Sequence, residues 1–149
     1  MTDQFLILIP TDPHYLPPSE KADAAQEYLR SALPSAEDVV WVWSDHVEFV
    51  DSGENFQRIL CPACGRELYF PDWQLMMDAA FSNQFADLHV TMPCCGASGS
   101  LNELHYDWPA GFARFTLEAL NPTADLDDQQ LYTIAGILGS PIRKIWRSL

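Results

Sequence analysis

All four cysteines of the chain sit in two short stretches, Cys61-Pro62-Ala63-Cys64-Gly65 and Met92-Pro93-Cys94-Cys95-Gly96. A Cys-x-x-Cys-Gly turn is a metal-binding knuckle. Two residues between the thiolates bring both sulfurs to one point, and the glycine takes the backbone angle that other residues resist. Two knuckles together supply four thiolates, the ligand set of a tetrahedral structural zinc site. The second knuckle is irregular: aligned on its glycine, Cys95 matches Cys64, but Met92 stands where Cys61 would be, and the remaining cysteine is displaced to Cys94. Neighbours in an extended segment point to opposite sides. Cys94 and Cys95 therefore share a metal only if the backbone turns sharply, which Pro93 and Gly96 favour. Otherwise the fourth ligand is a neutral imidazole, His89 first, with His46 and His105 further off. The competing readings are four free thiols and a Cys61–Cys64 redox pair. The second lacks the strand-then-helix frame of a thioredoxin-like site.

Other chemistry is poorly represented. Ser98-Gly99-Ser100 lacks the flanks of a nucleophile elbow, and the chain contains no His-Glu-x-x-His, phosphate loop or dinucleotide fingerprint. Asp45, Glu48 and Asp51 near His46 form the best carboxylate cluster and read as a solvated strand edge. A zinc-dependent hydrolase stays open only if the metal keeps a free coordination position, that is, if Cys94 does not reach it.

The 149 residues carry 21 Asp and Glu against eight Lys and Arg, a net charge of −13. Such a surface repels phosphate backbones and steers towards a basic protein partner. No apolar run is long enough to span a membrane. The N-terminal residues lack a signal peptide's basic region, and the cysteine spacing is that of a metal site and not a secreted disulfide framework. A cytoplasmic protein is expected.

The elements that must position the knuckles follow from periodicity and punctuation. Phe5–Ile9 reads as a buried strand, followed by a proline-rich loop to Pro18. A helix runs from a Ser19 cap to Pro34, and Val39–Val50 is a strand closed by the turn Asp51-Ser52-Gly53. Phe56–Leu60 leads into the first knuckle and Leu68–Phe70 leaves it. Pro71-Asp72 caps a helix through Phe81, and Leu88–Thr91 enters the second knuckle. Ser100–Tyr106 is extended or turn-like, Phe112–Leu120 a strand, Asp125–Leu138 a helix and Ile142–Leu149 a last helix. The order predicts a single α+β domain over 1–149, with helices on one face of a mainly antiparallel sheet and a zinc-ribbon-like knuckle pair. The segment Leu131–Ile145 also resembles a helix-turn-helix. Ala135 would sit at the crossing and Gly139 at the turn, with Arg143, Lys144 and Arg147 facing phosphates, which makes a DNA-binding regulator the alternative reading. Tyr106 and Trp108, in a segment dense in aromatics, are candidate partner-binding anchors if exposed.

Taken together, Cys61-Pro62-x-Cys64-Gly65, Pro93-Cys94-Cys95-Gly96, Leu101-Asn102-x-Leu104-x-Tyr106, Trp108-Pro109-x-Gly111-Phe112-Ala113-Arg114-Phe115, Asn121-Pro122 and Leu138-Gly139-x-Pro141-x-Arg143-x-Ile145 resemble an uncharacterised family of small bacterial proteins. The resemblance implies that the knuckle cysteines, Cys94 included, are zinc ligands. It carries over no catalytic residue. It also implies an immunity-like role beside secreted-toxin or contact-dependent systems, with a basic toxin domain as partner.

Overall fold

The computed structural model describes residues 2–149. Four strands form one antiparallel sheet: β1 (Gln4–Pro10), β2 (Asp38–Val50), and, further along the chain, two strands at Gly111–Leu120 and Ile142–Ser148. Between them lie β3 (Arg58–Leu60), β4 (His89–Thr91), β5 (Ser98–Ser100) and β6 (His105–Asp107), so the later pair are β7 and β8. The sheet order is β2-β7-β1-β8, while β3 pairs β6 and β4 pairs β5 as two small antiparallel ribbons. Three helices complete the fold: α1 (Ser19–Ala32), α2 (Phe70–Phe81) and α3 (Asp128–Leu138).

The continuous apolar run of β1 is explained by its central place, with both faces covered. Leu6 and Leu8 face α1 and α3, packing with Phe115, Leu117 and Ala119 of β7. Ile7 and Ile9 face the other way, with Val50, Ala113 and Ile145. Helix α1 buries Ala22, Ala25 and Leu29, one stripe at helical spacing. Helix α3 begins in a capping box, Asp127 and Gln130 each satisfying the other's backbone N–H. Gly139 ends it in the left-handed region at φ 83°.

The second core belongs to the insertion between β2 and β7. Ile59, Cys61, Trp73, Phe85, Met92, Leu101 and Tyr106 pack together and seat against Val47 of β2 and Phe112 of β7. One polar hub ties this half to the sheet. Asn102 is buried; its Nδ2 donates to the Thr11 carbonyl (3.0 Å) and its Oδ1 accepts from Phe112 N–H (2.9 Å). Arg143 Nη1 donates to the Asn102 carbonyl (3.0 Å) and to the Ala110 carbonyl (2.9 Å). On the same sheet face the Asp51–Gln57 loop closes over β8: Glu54 N–H donates to the Ser148 carbonyl (2.8 Å). Gly53 passes so near that a Cβ there would lie 2.2 Å from that carbonyl oxygen.

Three sequence expectations are corrected. Ile142–Leu149 is not a helix: Ile142–Ser148 is strand β8, paired with β1 over seven residues. Its apolar positions fit either period, and the free edge of β1 decides between them. The helix-turn-helix hairpin is therefore absent. Leu68–Phe70 is not a strand either; one bridge, Leu60 with Glu67, is all that forms there, and α2 begins at Phe70 with Pro71 in its first turn. Lastly, α2 packs in the knuckle half and not beside α1 and α3.

Removing the hub should be costly. Asn102→Ala leaves the half-buried Thr11 carbonyl and the buried Phe112 N–H without their partner and should lower stability by about 3 kcal/mol. Urea unfolding of the variant against the wild type checks this, and a loss within experimental error would mean that water replaces the side chain.

Candidate metal centre

The two knuckles have the same backbone. In the first, Cys61 N–H donates to the Arg66 carbonyl (2.8 Å), Gly65 N–H donates to the Cys61 carbonyl (2.9 Å), and Gly65 has φ 76°. In the second, Met92 N–H donates to the Ala97 carbonyl (2.8 Å), Gly96 N–H donates to the Met92 carbonyl (2.8 Å), and Gly96 has φ 75°. Positive φ at both glycines closes each turn, a conformation a Cβ would disfavour. The matching hydrogen bonds and glycines assign places: Met92 stands in Cys61's, Cys95 in Cys64's, and Cys94 in Ala63's. Met92 is buried and serves the core beside Cys61.

Cys94 and Cys95 both reach the cluster because Pro93–Cys95 is a turn and not extended chain. Cys61 Sγ lies 3.8 Å from Cys95 Sγ, and Cys64 Sγ lies 3.4 Å from Cys94 Sγ. All four sulfurs fall within 4.8 Å of one another. A tetrahedral ion with metal–sulfur bonds of ~2.3 Å needs sulfurs roughly 3.8 Å apart, so the four thiols could hold a metal ion with little adjustment. They are free thiols: Cys61 is buried, Cys94 half-buried, Cys64 and Cys95 exposed.

The electrostatics of the cluster are divided. The backbone N–H of Cys64 holds the Cys61 thiol down to about 7; burial opposes this, and the Ala63 amide and neighbouring thiols add to it. The Cys94 thiol is pushed up to about 12, first by desolvation, then by hydrogen bonds with Cys64, Cys61 and Cys95 and by the charge of Cys61. A thiolate at Cys61 thus discourages one at Cys94. A bound cation reverses that penalty, because it stabilises every thiolate at once.

His89 lies on β4, exposed, and is not a member of the cluster. His46 is engaged by Asp45 (2.8 Å) and by Glu48 (3.6 Å) on exposed β2, where these carboxylates form the solvated strand edge expected of them. His105 is held in the β3–β6 ribbon opposite Leu60. With four thiolates as ligands, no coordination position is left for a water.

The anchor pair separates. Tyr106 is not an exposed anchor: it is 5% exposed, donates to the Leu101 carbonyl (2.7 Å) and accepts from Trp73 Nε1 (3.4 Å). Its side of β6 faces the knuckle core, so it packs there. Trp108 is 40% exposed. The three basic residues expected at phosphates are spent within the chain. Arg143 grips Asn102 and Ala110, Lys144 pairs with Asp125 (2.8 Å), and Arg147 pairs with Asp51 (3.4 Å). Sequence reasoning also missed the exposed apolar edge formed by Val40, Val42 and Trp43; their β-branched and aromatic types marked a strand without marking which strand would end the sheet.

Compared with protein-family models, curated proteins and solved structures, the chain matches none. The functional reading rests on the residues themselves.

Cobalt(II) titrated into the metal-free protein should report the ligand set through its visible and near-ultraviolet thiolate absorption. The wild type and His89→Ala should give the same tetrahedral four-thiolate spectrum, and Cys94→Ala should lose intensity and bind more weakly. A spectrum that changes with His89→Ala would place the imidazole on the metal.

Proposed function

We propose that the chain is a non-enzymatic, zinc-stabilised protein-binding module whose acidic surface takes a basic partner. The observation that carries the metal half of this reading is the convergence of four cysteine sulfurs within 4.8 Å. Soft thiolates in a tetrahedral set favour zinc or iron, and a closed four-cysteine site is structural. The ligands come in pairs from the end of β3 and from the β4–β5 ribbon, with α2 between. Zinc would cross-link these segments in a zinc-ribbon-like pair of knuckles, and its binding energy would become folding energy.

The partner half of the reading rests on charge. Five of the eight Lys and Arg pair with five different carboxylates, so most of the 21 acidic residues have no basic partner among the described residues. A basic protein would complement that excess. On the resemblance described above it would be a toxin domain, and the chain an immunity-like protein, with Trp108 available at the surface. No helix among the described residues is long and apolar enough to cross a membrane. Four cysteines held as metal ligands and not as disulfides suit a reducing compartment, and the cytoplasm is the proposed location.

The purified protein should carry about one zinc per chain, read by elemental analysis. Chelation should loosen residues 58–107 before the sheet, read by amide exchange; metal-free protein with unchanged exchange would remove zinc as a stabiliser. Metal uptake should also release protons. Cys94, with its thiol at about 12, is protonated at neutral pH and must lose its proton to bind. Zinc affinity should therefore fall as pH is lowered, by about tenfold per pH unit for each proton displaced, and a pH-independent affinity would contradict thiolate ligation by Cys94.

A further inference from the structure

Strand β2 ends the sheet and pairs only with β7. Val39 turns its backbone outward, since its carbonyl accepts from Gln26 Nε2 (2.8 Å) and its N–H donates to Asp38 Oδ1 (2.9 Å). Alternation along the strand then turns the backbone of Trp41 and Trp43 outward as well, without side chains of this kind to satisfy them. Protein sheets usually blunt such an edge with lysine, proline or a bulge. Asp38–Trp43 contains neither residue, and the register shift comes only after Trp43. Both faces beside this edge are apolar. Val40 and Val42 are 39% and 52% exposed, and Trp43 is 58% exposed. On the α1 side Trp41 and Trp43 line a groove of about 250 Å³ with Leu16, Pro17 and Phe115.

Carboxylates outnumber cations around the edge. Asp38 lies at one end, Asp45 and Glu48 at the other, and Asp23 of α1 accepts from Trp41 Nε1. Two cations lie among them: Arg30 pairs with Glu27 and its Nη2 donates to the Val39 carbonyl (3.4 Å), and Arg114 Nε donates to the Ser44 carbonyl (3.0 Å).

We propose that the β2 edge docks an extended, basic segment of a partner protein as a fifth strand of the sheet. The inference rests on the reading of the chain as a binding module and says where the partner binds. An added strand supplies hydrogen bonds to Trp41 and Trp43, covers Val40 and Val42 with alternate apolar side chains, and lays lysine or arginine beside the carboxylates and over the Trp43 ring. A second copy of the chain is the poorer occupant. Antiparallel self-pairing about Val42 brings the Asp38 end of one copy to the Asp45 end of the other, and each copy carries a net charge of −13.

The test uses the full zinc-loaded chain and three capped hexapeptides: alternating lysine and valine, alternating glutamate and valine, and the lysine peptide N-methylated at alternate amides. Calorimetry should show binding of the first alone, weakening with salt, and amide exchange at Trp41 and Trp43 should slow. Val42→Lys and Trp43→Ala, both at exposed positions, should lower affinity about tenfold or more, while Tyr132→Lys on exposed α3 should leave it unchanged. Equal binding of the glutamate or methylated peptide, or binding indifferent to Val42→Lys and Trp43→Ala, overturns the inference. So does concentration-dependent dimerisation that Val42→Lys abolishes, which would make a second copy the occupant. Zinc content measured on the same samples separates the two readings. Folded, zinc-loaded protein that ignores the lysine peptide defeats the docking edge and leaves the metal site standing; peptide binding by protein that never takes up zinc does the reverse.

Discussion

Four sulfur atoms drawn from two distant turns meet at one point, and the insertion between β2 and β7 is arranged around that meeting. Thiols do not gather by hydrophobic burial alone. Cys61 is buried, but Cys64 and Cys95 are exposed, and a thiolate at Cys61 discourages one at Cys94. Backbone geometry does the gathering. Two turns closed by glycines at nearly the same positive φ, each with the same pair of hydrogen bonds, aim their side chains at a shared centre. A cation at that centre turns the crowding from a cost into the strongest link between the turns. Without it, β3–β6 and β4–β5, three-residue ribbons each, hold one another mainly through the aromatic core behind them.

That core explains why the insertion does not hang from the sheet as a separate body. Phe112 of β7 packs at 5.0 Å on Phe49 of β2 and at 5.2 Å on Phe85 of the insertion. The polar hub at Asn102 then fixes the angle: it joins the loop after β1, the start of β7 and the Arg143 side chain from β8. A buried amide with every group satisfied specifies one arrangement where apolar packing alone would accept several. Arg143 reaches this hub because it projects from the same face of β8 as Arg147, which holds the Asp51 turn (3.0 Å to its carbonyl).

Features fixed by local chemistry were legible in the sequence. The knuckles declared themselves through cysteine spacing and glycine, and the alignment of Met92 with Cys61 was readable because each glycine sets its turn. The proline-rich loop, the strand at Phe5–Ile9 and the end of α3 at Gly139 were legible for the same reason, whereas the capping box that starts α3 at Asp127 was not read. Ile142–Ser148 was not, since Ile142, Ile145 and Trp146 satisfy a helical stripe as well as a strand, and only the unpaired edge of β1 chooses. Tyr106 and Trp108 differ by two residues and would share a face if the strand ran on; β6 ends at Asp107, so Tyr106 is core while Trp108 reaches the surface, and the sequence does not mark that end. The open edge at Trp41 and Trp43 is invisible for a similar reason, because strand order is a property of the whole chain.

A metal bound by the four cysteines would bear on the charge of the whole chain. A divalent ion held by four thiolates leaves the site with a net negative charge, so loading the metal does not offset the acidity of the chain. The basic side chains are mostly spent on internal pairs, and those on β8, Arg143 and Arg147, are turned to hold loops in place. Carboxylates dominate the charge that reaches solvent, and apolar side chains are exposed at the β2 edge as well as around α2 and on α3. Long-range attraction to a basic partner of the kind proposed would be indiscriminate, and discrimination would have to come from short-range geometry. A strand edge flanked by valines on one face and tryptophans on the other supplies such geometry, because register and alternation both have to match. On this view the two halves divide the work: the thiolate centre secures the insertion, the insertion seats on the second half of β2, and the first half of the same strand stays open.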